Sequence, residues 1–277
     1  MSPDVIPSLT MKIFRYLNAS DQPAYAVEVS PGRHCVMHGT PFGQRSVTDE
    51  PADISRLVAP IEPVQILGIG LNYRRHAAET GAREPAHPVL FFKGPNAVQH
   101  PGGIVLPRKL LSEKVDYECE LAVVIGRACK NVSRDQALEY VLGYTCANDV
   151  SARDWQLRRG GGQWCRGKMF DTFAPLGPCL VTRDELPDPH QLRLCTRLNG
   201  EERQNWTSAD MIFDIPTLIE FLSGSTTLEA GTVILTGTPH GVGMAARPPR
   251  WLQPGDVVEV EIEGIGTLRN PVELEAG

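Results

Sequence analysis

The run "VDYECELAVVIG" at positions 115–126 leaves the chain little choice of fold. Side chains alternate along a strand, so Asp116, Glu118 and Glu120 share one face with Ala122 and Val124. Tyr117, Cys119, Leu121, Val123 and Ile125 make the other face. Past Glu120 both faces are apolar, and a strand of that kind must be covered on both sides. The C-terminal run "DVVEVEIEG" is the contrast: Glu259, Glu261 and Glu263 alternate with Val258, Val260 and Ile262, the pattern of a strand with one wet face. Alternating glutamates therefore carry no message by spacing alone. In the first run two readings stand. Either Glu118 and Glu120 sit at the mouth of a cavity, where two like charges must take up a proton or a cation, or that end of the strand reaches solvent.

Composition narrows the classes. A chain of 277 residues with 42% hydrophobic and 22% charged residues has ample material for a large core. A net charge of -6 argues against a nucleic-acid partner. The seven cysteines form no C-x-x-C pair and are odd in number, which suits a reducing compartment better than a disulfide framework or a zinc site. No run approaches the length of a membrane span, and the N-terminus has no hydrophobic signal core. The expectation is a cytoplasmic protein without a membrane partner.

Residues 1–10 read as a loose N-terminal extension. Residues 11–60 read as a small N-terminal β domain of short strands and turns, closed by the Pro-rich "APIEPVQ", and 61–277 form the larger domain. A helix is expected from Ser133, whose S-x-x-Q box with Gln136 marks its start and Gly143 its stop. A second is expected over "IPTLIEFLS", capped by Asp214 with Pro216 in its first turn. Strands outnumber helices without βαβ alternation, so the class is α+β with a mixed β-sheet. "GIGLNY" lacks the third glycine of a dinucleotide fingerprint, and "GTPHGVG" lacks the G-K-[ST] of a phosphate loop.

The candidate chemistry lies in four places. "CANDVSARDWQ" ends a strand on Asp149, which is either a third carboxylate beside Glu118 and Glu120 or a turn residue. Three carboxylates without nearby histidine or cysteine favour Mg²⁺ or Mn²⁺ over zinc. His76 and Glu79 lie three apart: on a helix Glu79 orients His76 as a general base, and on a solvated turn the pair means nothing. Lys168 follows "GGGQWCRG" in a loop, as a site residue or a surface lysine. Thr238 follows a buried strand in a Gly/Pro loop whose N–H groups suit a carboxylate, or form only a tight turn.

Seven segments in order, "GLNYRRHAAETG", "FFKGPNAV", "DYECELAVVIG", "NDVSARDWQ", "GKMFDTFAPLGP", "TGTPHGVG" and "GDVVEVEIEGIGTLRNPV", resemble the fumarylacetoacetate hydrolase (FAH) family. The likeness runs from about residue 60 to 273. It is nearest to the bacterial hydratase/isomerase-like branch and the animal domain-containing-2 members. The resemblance implies an α+β fold with a mixed β-sheet roll and a homodimer. It implies that Glu118, Glu120 and Asp149 bind a divalent metal, Mg²⁺ or Mn²⁺, and that His76 and Glu79 form a lid dyad that activates water or relays a proton. It further implies that Lys168 is the active-site lysine, that Arg153 and Gln156 face the substrate, and that Thr238 holds a substrate carboxylate. The fourth acidic ligand that some relatives place before the lid histidine is absent from "GLNYRRH". The expected activity is hydrolysis of a C–C bond in a 2,4-dioxo acid. The alternatives on the same residues are oxaloacetate decarboxylation or keto–enol tautomerisation of a 2-oxo dicarboxylic acid, and a non-catalytic metal-stabilised binding protein stands further off. The stretch Asn72–His87, with few large apolar residues, is expected to be mobile until substrate binds.

Overall fold

A computed structural model of the chain describes residues 11–106 and 112–275. The extension read at 1–10 lies outside them. The first strands are β1 (Lys12–Leu17), β2 (Pro23–Ser30), β3 (Arg33–Gly39), β4 (Arg45–Pro51), β5 (Arg56–Val58) and β6 (Gln65–Gly70), followed by helix α1 (Arg74–Glu79). Next come β7 (Val89–Lys93), β8 (Val98–Gln99), β9 (Ile104–Leu106), β10 (Val115–Asp116), β11 (Cys119–Ile125), β12 (Val141–Asn148) and β13 (Ser151–Ala152). Helix α2 (Cys165–Lys168), β14 (Ala174–Thr182), β15 (Arg193–Leu198), β16 (Glu201–Thr207), α3 (Ile215–Ser223), β17 (Thr232–Leu235), β18 (Val257–Ile262) and β19 (Gly266–Leu274) complete the chain.

One large sheet runs in the order β4-β3-β2-β1-β14-β12-β11-β17-β6-β7, with β5 on β1 and β8 on β14. A second runs β16-β15-β18-β19-β9 and packs against β11, β12 and β14. β17 pairs with β6 in parallel while most other neighbours are antiparallel, so the fold is α+β with mixed sheet. The N-terminal strands do not stand apart, because β1 hydrogen-bonds to β14 and extends the same sheet across the Pro-rich passage near residue 60.

β11 meets the demand its sequence makes. All seven residues are buried. Cys119, Leu121, Val123 and Ile125 pack in one core with Val258, Val260, Ile262 and Leu268 of the second sheet. Ala122 and Val124 face a separate core with Leu142, Leu176, Val233 and Ile66. β18 keeps the contrasting pattern, with Val258, Val260 and Ile262 buried and its glutamates half exposed.

Two local expectations need correction. The segment after Ser133 is a 3-10 helix, Arg134–Tyr140, and the Ser133 hydroxyl donates to the Gln136 side chain (3.2 Å) instead of capping a backbone N–H. Nor does Gly143 end that helix; it lies inside β12, where a Cβ would come within 2.2 Å of the Val181 carbonyl oxygen. Close strand approach, not a helix stop, selects that glycine. α3 forms as its sequence dictates: the Asp214 carboxylate accepts the Thr217 N–H (3.0 Å), Pro216 sits in the first turn, and Ile215, Leu218, Ile219 and Leu222 are buried.

Candidate active site

β11 and β12 are antiparallel neighbours with Cys119 opposite Asn148 and Glu120 opposite Ala147, so the start of one meets the end of the other. Around that meeting point the Asp149 N–H donates to the Glu118 carbonyl (2.9 Å), and the Glu118 N–H donates to the Asn148 side chain (3.0 Å). Glu118, Glu120 and Asp149 are all buried, and each offers an oxygen within 4.8 Å of the others. The burial of that strand end fits the cavity reading of the opening run.

Buried cations surround the three carboxylates. Lys168 Nζ lies 2.5 Å from both Glu118 Oε2 and Asp149 Oδ2. Arg153 donates through Nη2 to Glu118 Oε1 (2.7 Å), through Nε to Asp116 Oδ2 (3.0 Å) and through Nη1 to Gln156 Oε1 (3.0 Å). Burial works against the charge of Glu118, but Arg153 and Lys168 outweigh it and hold the carboxyl well below the usual range. Glu120 is the opposite case. Burial, then Asp149 and Glu118, push it well above its usual range. The one hydrogen bond to its carboxylate among the described residues comes from the Gly237 N–H (2.8 Å), and it has no ion pair there. A buried carboxylate between two others calls for a cation, and three hard oxygens suit Mg²⁺ or Mn²⁺. The residues present thus fit a divalent metal held by Glu118, Glu120 and Asp149.

His76 and Glu79 lie on α1, and the helical alternative holds: His76 Nδ1 is 2.7 Å from Glu79 Oε1. Glu79 Oε2 in turn accepts the Gly241 N–H (2.9 Å). The start of the stretch Asn72–His87 is tied to its surroundings by several contacts. The buried Asn72 side chain donates to the carbonyls of Phe213 (3.0 Å) and Thr236 (2.8 Å), Tyr73 is fully buried, and Arg75 stacks over the Trp206 ring at 3.5 Å. Thr238 accepts from Gln204 Nε2 (2.8 Å). His76, Gln156, Lys168, Arg153 and Thr238 line one cavity of about 250 Å³ together with the three carboxylates, while Glu79 stands behind His76.

Three contributors were not foreseen. Lys93 is buried, with Nζ 2.6 Å from Asp149 Oδ1 and donating to the carbonyls of Val150, Lys168 and Phe173 at 3.0, 2.6 and 2.7 Å. Burial pulls this lysine down to about 8. Asp116 accepts the Gly243 (2.7 Å) and Met244 (3.0 Å) N–H groups and so fixes Arg153. Gln204 ties the Cys119 N–H to Thr238. No local signal marked Lys93: it closes the strand "VLFFK", where a solvated lysine also stands.

Fold and cavity together define a mixed-sheet protein with a buried oxygen-donor triad beside a His–Glu pair. The family profile "Fumarylacetoacetate (FAA) hydrolase C-terminal" matches residues 65–273. The chain belongs to the fumarylacetoacetate hydrolase family. It is 47% identical over 231 residues to a fumarylacetoacetate hydrolase domain-containing protein 2 homolog of Dictyostelium discoideum, covering 80% of this chain and 75% of that one. It is 46% identical over 218 residues to an oxaloacetate tautomerase of Xenopus laevis described as mitochondrial, covering 78% and 68%. Among solved structures, a 2-hydroxyhepta-2,4-diene-1,7-dioate isomerase from Mycobacterium marinum superposes with a TM-score of 0.81 at 39% identity over 97% of this chain and 100% of that one. A fumarylacetoacetate hydrolase from Exiguobacterium antarcticum gives 0.85 at 36% identity, covering 96% and 100%. Among the described residues no helix is long and apolar enough to cross a membrane.

Proposed function

We propose that this chain is a divalent-metal-dependent enzyme that moves a proton between the carbon next to the keto group and the keto oxygen of a 2-oxo acid, a keto–enol tautomerase. The observation that carries the reading is the His76–Glu79 pair at 2.7 Å, with His76 buried and opening on the same cavity as the carboxylate triad. The names of the tautomerase and isomerase relatives support the step. When bound, a divalent ion on Glu118, Glu120 and Asp149 supplies Lewis-acid polarisation of the keto group. Glu79 fixes the imidazole through Nδ1, which leaves Nε2 to take the proton from the substrate carbon and deliver it to the keto oxygen. Lys168 and Arg153 balance the carboxylates, and the Thr238 hydroxyl offers a donor to the substrate carboxylate.

A second reading is C–C hydrolysis of a 2,4-dioxo acid, in which the same dyad takes a proton from water. The likeness to the Exiguobacterium hydrolase favours it. One panel separates the two: oxaloacetate, acetylpyruvate and fumarylpyruvate followed by ultraviolet absorbance, with Mg²⁺ or with chelator. Enol decay of oxaloacetate without cleavage of either dioxo acid supports the tautomerase, and cleavage supports the hydrolase. His76→Ala should lower turnover by about 10²-fold or more. Full activity of that variant would remove the dyad from the reaction. We also propose a homodimer in a cytoplasmic setting, checked by light scattering and by localisation of the tagged chain.

A further inference from the structure

β16 is an edge strand of the second sheet, and of its residues only Gln204 is buried. A primary amide enters such a place only with its hydrogen bonds made. Gln204 makes four. Its Oε1 accepts the Cys119 N–H (3.0 Å) and the Thr196 hydroxyl (2.7 Å), and its Nε2 donates to the Pro239 carbonyl and to Thr238 Oγ1, both at 2.8 Å. That is the full capacity of the group, two bonds accepted and two donated. The loop that carries Thr238 is pressed against the same strand: a Cβ on Gly241 would lie 2.2 Å from the Arg203 carbonyl oxygen.

Two of the four partners leave the amide no choice of orientation. A main-chain N–H can only donate and a main-chain carbonyl can only accept, so Cys119 fixes the oxygen of the amide and Pro239 fixes its nitrogen. A flipped amide would set N–H against N–H and C=O against C=O. The nitrogen therefore faces Thr238, and the Thr238 oxygen is the acceptor of that bond. A threonine hydroxyl has one proton to give and ordinarily turns to suit its surroundings. Here the Gln204 N–H occupies one side of the oxygen, so the proton must point elsewhere, and among the described residues no acceptor takes it. Thr238 lines the cavity that holds Glu118, Glu120 and Asp149, whereas Gln204 does not.

We infer that Gln204 is a positioning residue: it fixes the Thr238 hydroxyl as a one-way donor toward the cavity, ready for a substrate carboxylate before the substrate arrives. The inference rests on the reading above, in which Thr238 meets the carboxylate of a 2-oxo acid. It adds to that site a side chain of the second sheet that acts through another residue.

Oxalate tests it without turnover, because it copies the planar head of an enolised 2-oxo acid and cannot react further. Titration calorimetry of the full chain measures Mg²⁺ alone, then oxalate in saturating Mg²⁺, for the wild type, Gln204→Met, Thr238→Val and the double variant. Thr238→Val should weaken oxalate about tenfold, the worth of a hydrogen bond to a charged oxygen. Gln204→Met should weaken it at least fivefold beside Thr238 and less than twofold beside Val at 238, with Mg²⁺ alone bound within twofold of wild type throughout. Gln204→Glu, which keeps the shape and the bonds to Cys119 and Thr196, takes the place of the methionine variant if that one does not fold; its charge weighs on both legs of the cycle and cancels. Equal losses in the two backgrounds, or an oxalate affinity that Gln204→Met leaves untouched, overturn the assignment. A fall in affinity for Mg²⁺ alone that matches the oxalate loss also overturns it, since Gln204 then acts on the carboxylates flanking Cys119 and not through Thr238. Failure of the wild type to bind oxalate in Mg²⁺ removes the 2-oxo acid reading beneath the inference, and a Thr238→Val variant that binds oxalate as the wild type does removes Thr238 from it; in either case the role of Gln204 falls too.

Discussion

Replacing Glu120 by glutamine should make the metal-free protein more stable and the metal-loaded protein less so. Glutamine keeps the shape and can still accept the Gly237 N–H, but it removes a charge whose nearest like-charged oxygens lie within 4.8 Å. At that separation and an effective dielectric of about 20, one pair of like charges costs about 3.5 kcal/mol. That figure is for one of its two like-charged neighbours, and a buried carboxyl escapes part of the repulsion by taking a proton. With about 2.1 cal/mol/K of unfolding entropy per residue, about 3.5 kcal/mol corresponds to a gain of about 6 °C in Tm for the 277-residue chain. Mg²⁺ at a hundred times its dissociation constant should stabilise the wild type by about 2.7 kcal/mol, or about 5 °C, and Glu120→Gln by little. Thermal scans should therefore show the variant ahead in chelator and that lead largely closed in Mg²⁺. Glu259→Gln is the control: Glu259 is half exposed on β18, 3.6 Å from Arg269, and both scans should move by under about 1 °C. A lower Tm for Glu120→Gln in chelator, or an undiminished Mg²⁺ shift, would refute the claim that this carboxylate is held ready for a cation.

Asp214→Ala should cost about 1 kcal/mol in urea unfolding by removing the cap of α3. Burial raises the Asp214 carboxyl, but the Thr217 hydroxyl and N–H and the Arg134 guanidinium outweigh it and hold it below the ordinary range. Its folded value being depressed, its contribution is present above the unfolded carboxylate value and is lost as pH falls through the folded one. The variant's deficit should thus shrink under acid. Lys93→Met strands Asp149 Oδ1 and three carbonyls and should cost about 3–5 kcal/mol, read by the same titration. A thiol reagent should find about one reactive cysteine in the native protein, Cys165, and all seven after unfolding, since the other six are buried.

What the sequence disclosed follows from periodicity. β11 was legible because both its faces turn apolar after Glu120, a pattern that only a doubly covered strand satisfies. α3 was legible because its cap, its proline and its apolar stripe agree. Gly143 misled because a glycine after a helical stretch reads as a stop, and nothing local shows that the Val181 carbonyl passes against it. Asp116 was hidden for a similar reason: the N–H groups that hold it come from Gly243 and Met244, far along the chain. Lys93 ends a strand as solvated lysines do, and only the tertiary fold brings Asp149 to it. The α1 segment looked loose because its ties are an asparagine side chain and a cation–π stack, which no hydrophobic pattern reveals.

The loop from Gly237 to Met244 grips three carboxylates from three elements through main-chain N–H groups: Glu120 by Gly237, Glu79 by Gly241, and Asp116 by Gly243 and Met244. Every residue but proline owns such a group, so the grip depends on the path of the backbone and not on which side chains decorate it. A saturation library across this loop should therefore read as a comb. Gly237 and Gly241, at φ of 96° and 99°, and Gly243, where a Cβ would sit 2.0 Å from the Arg250 carbonyl oxygen, should accept almost nothing. Met244, outside those backbone restrictions, should accept many residues with the carboxylates still in place.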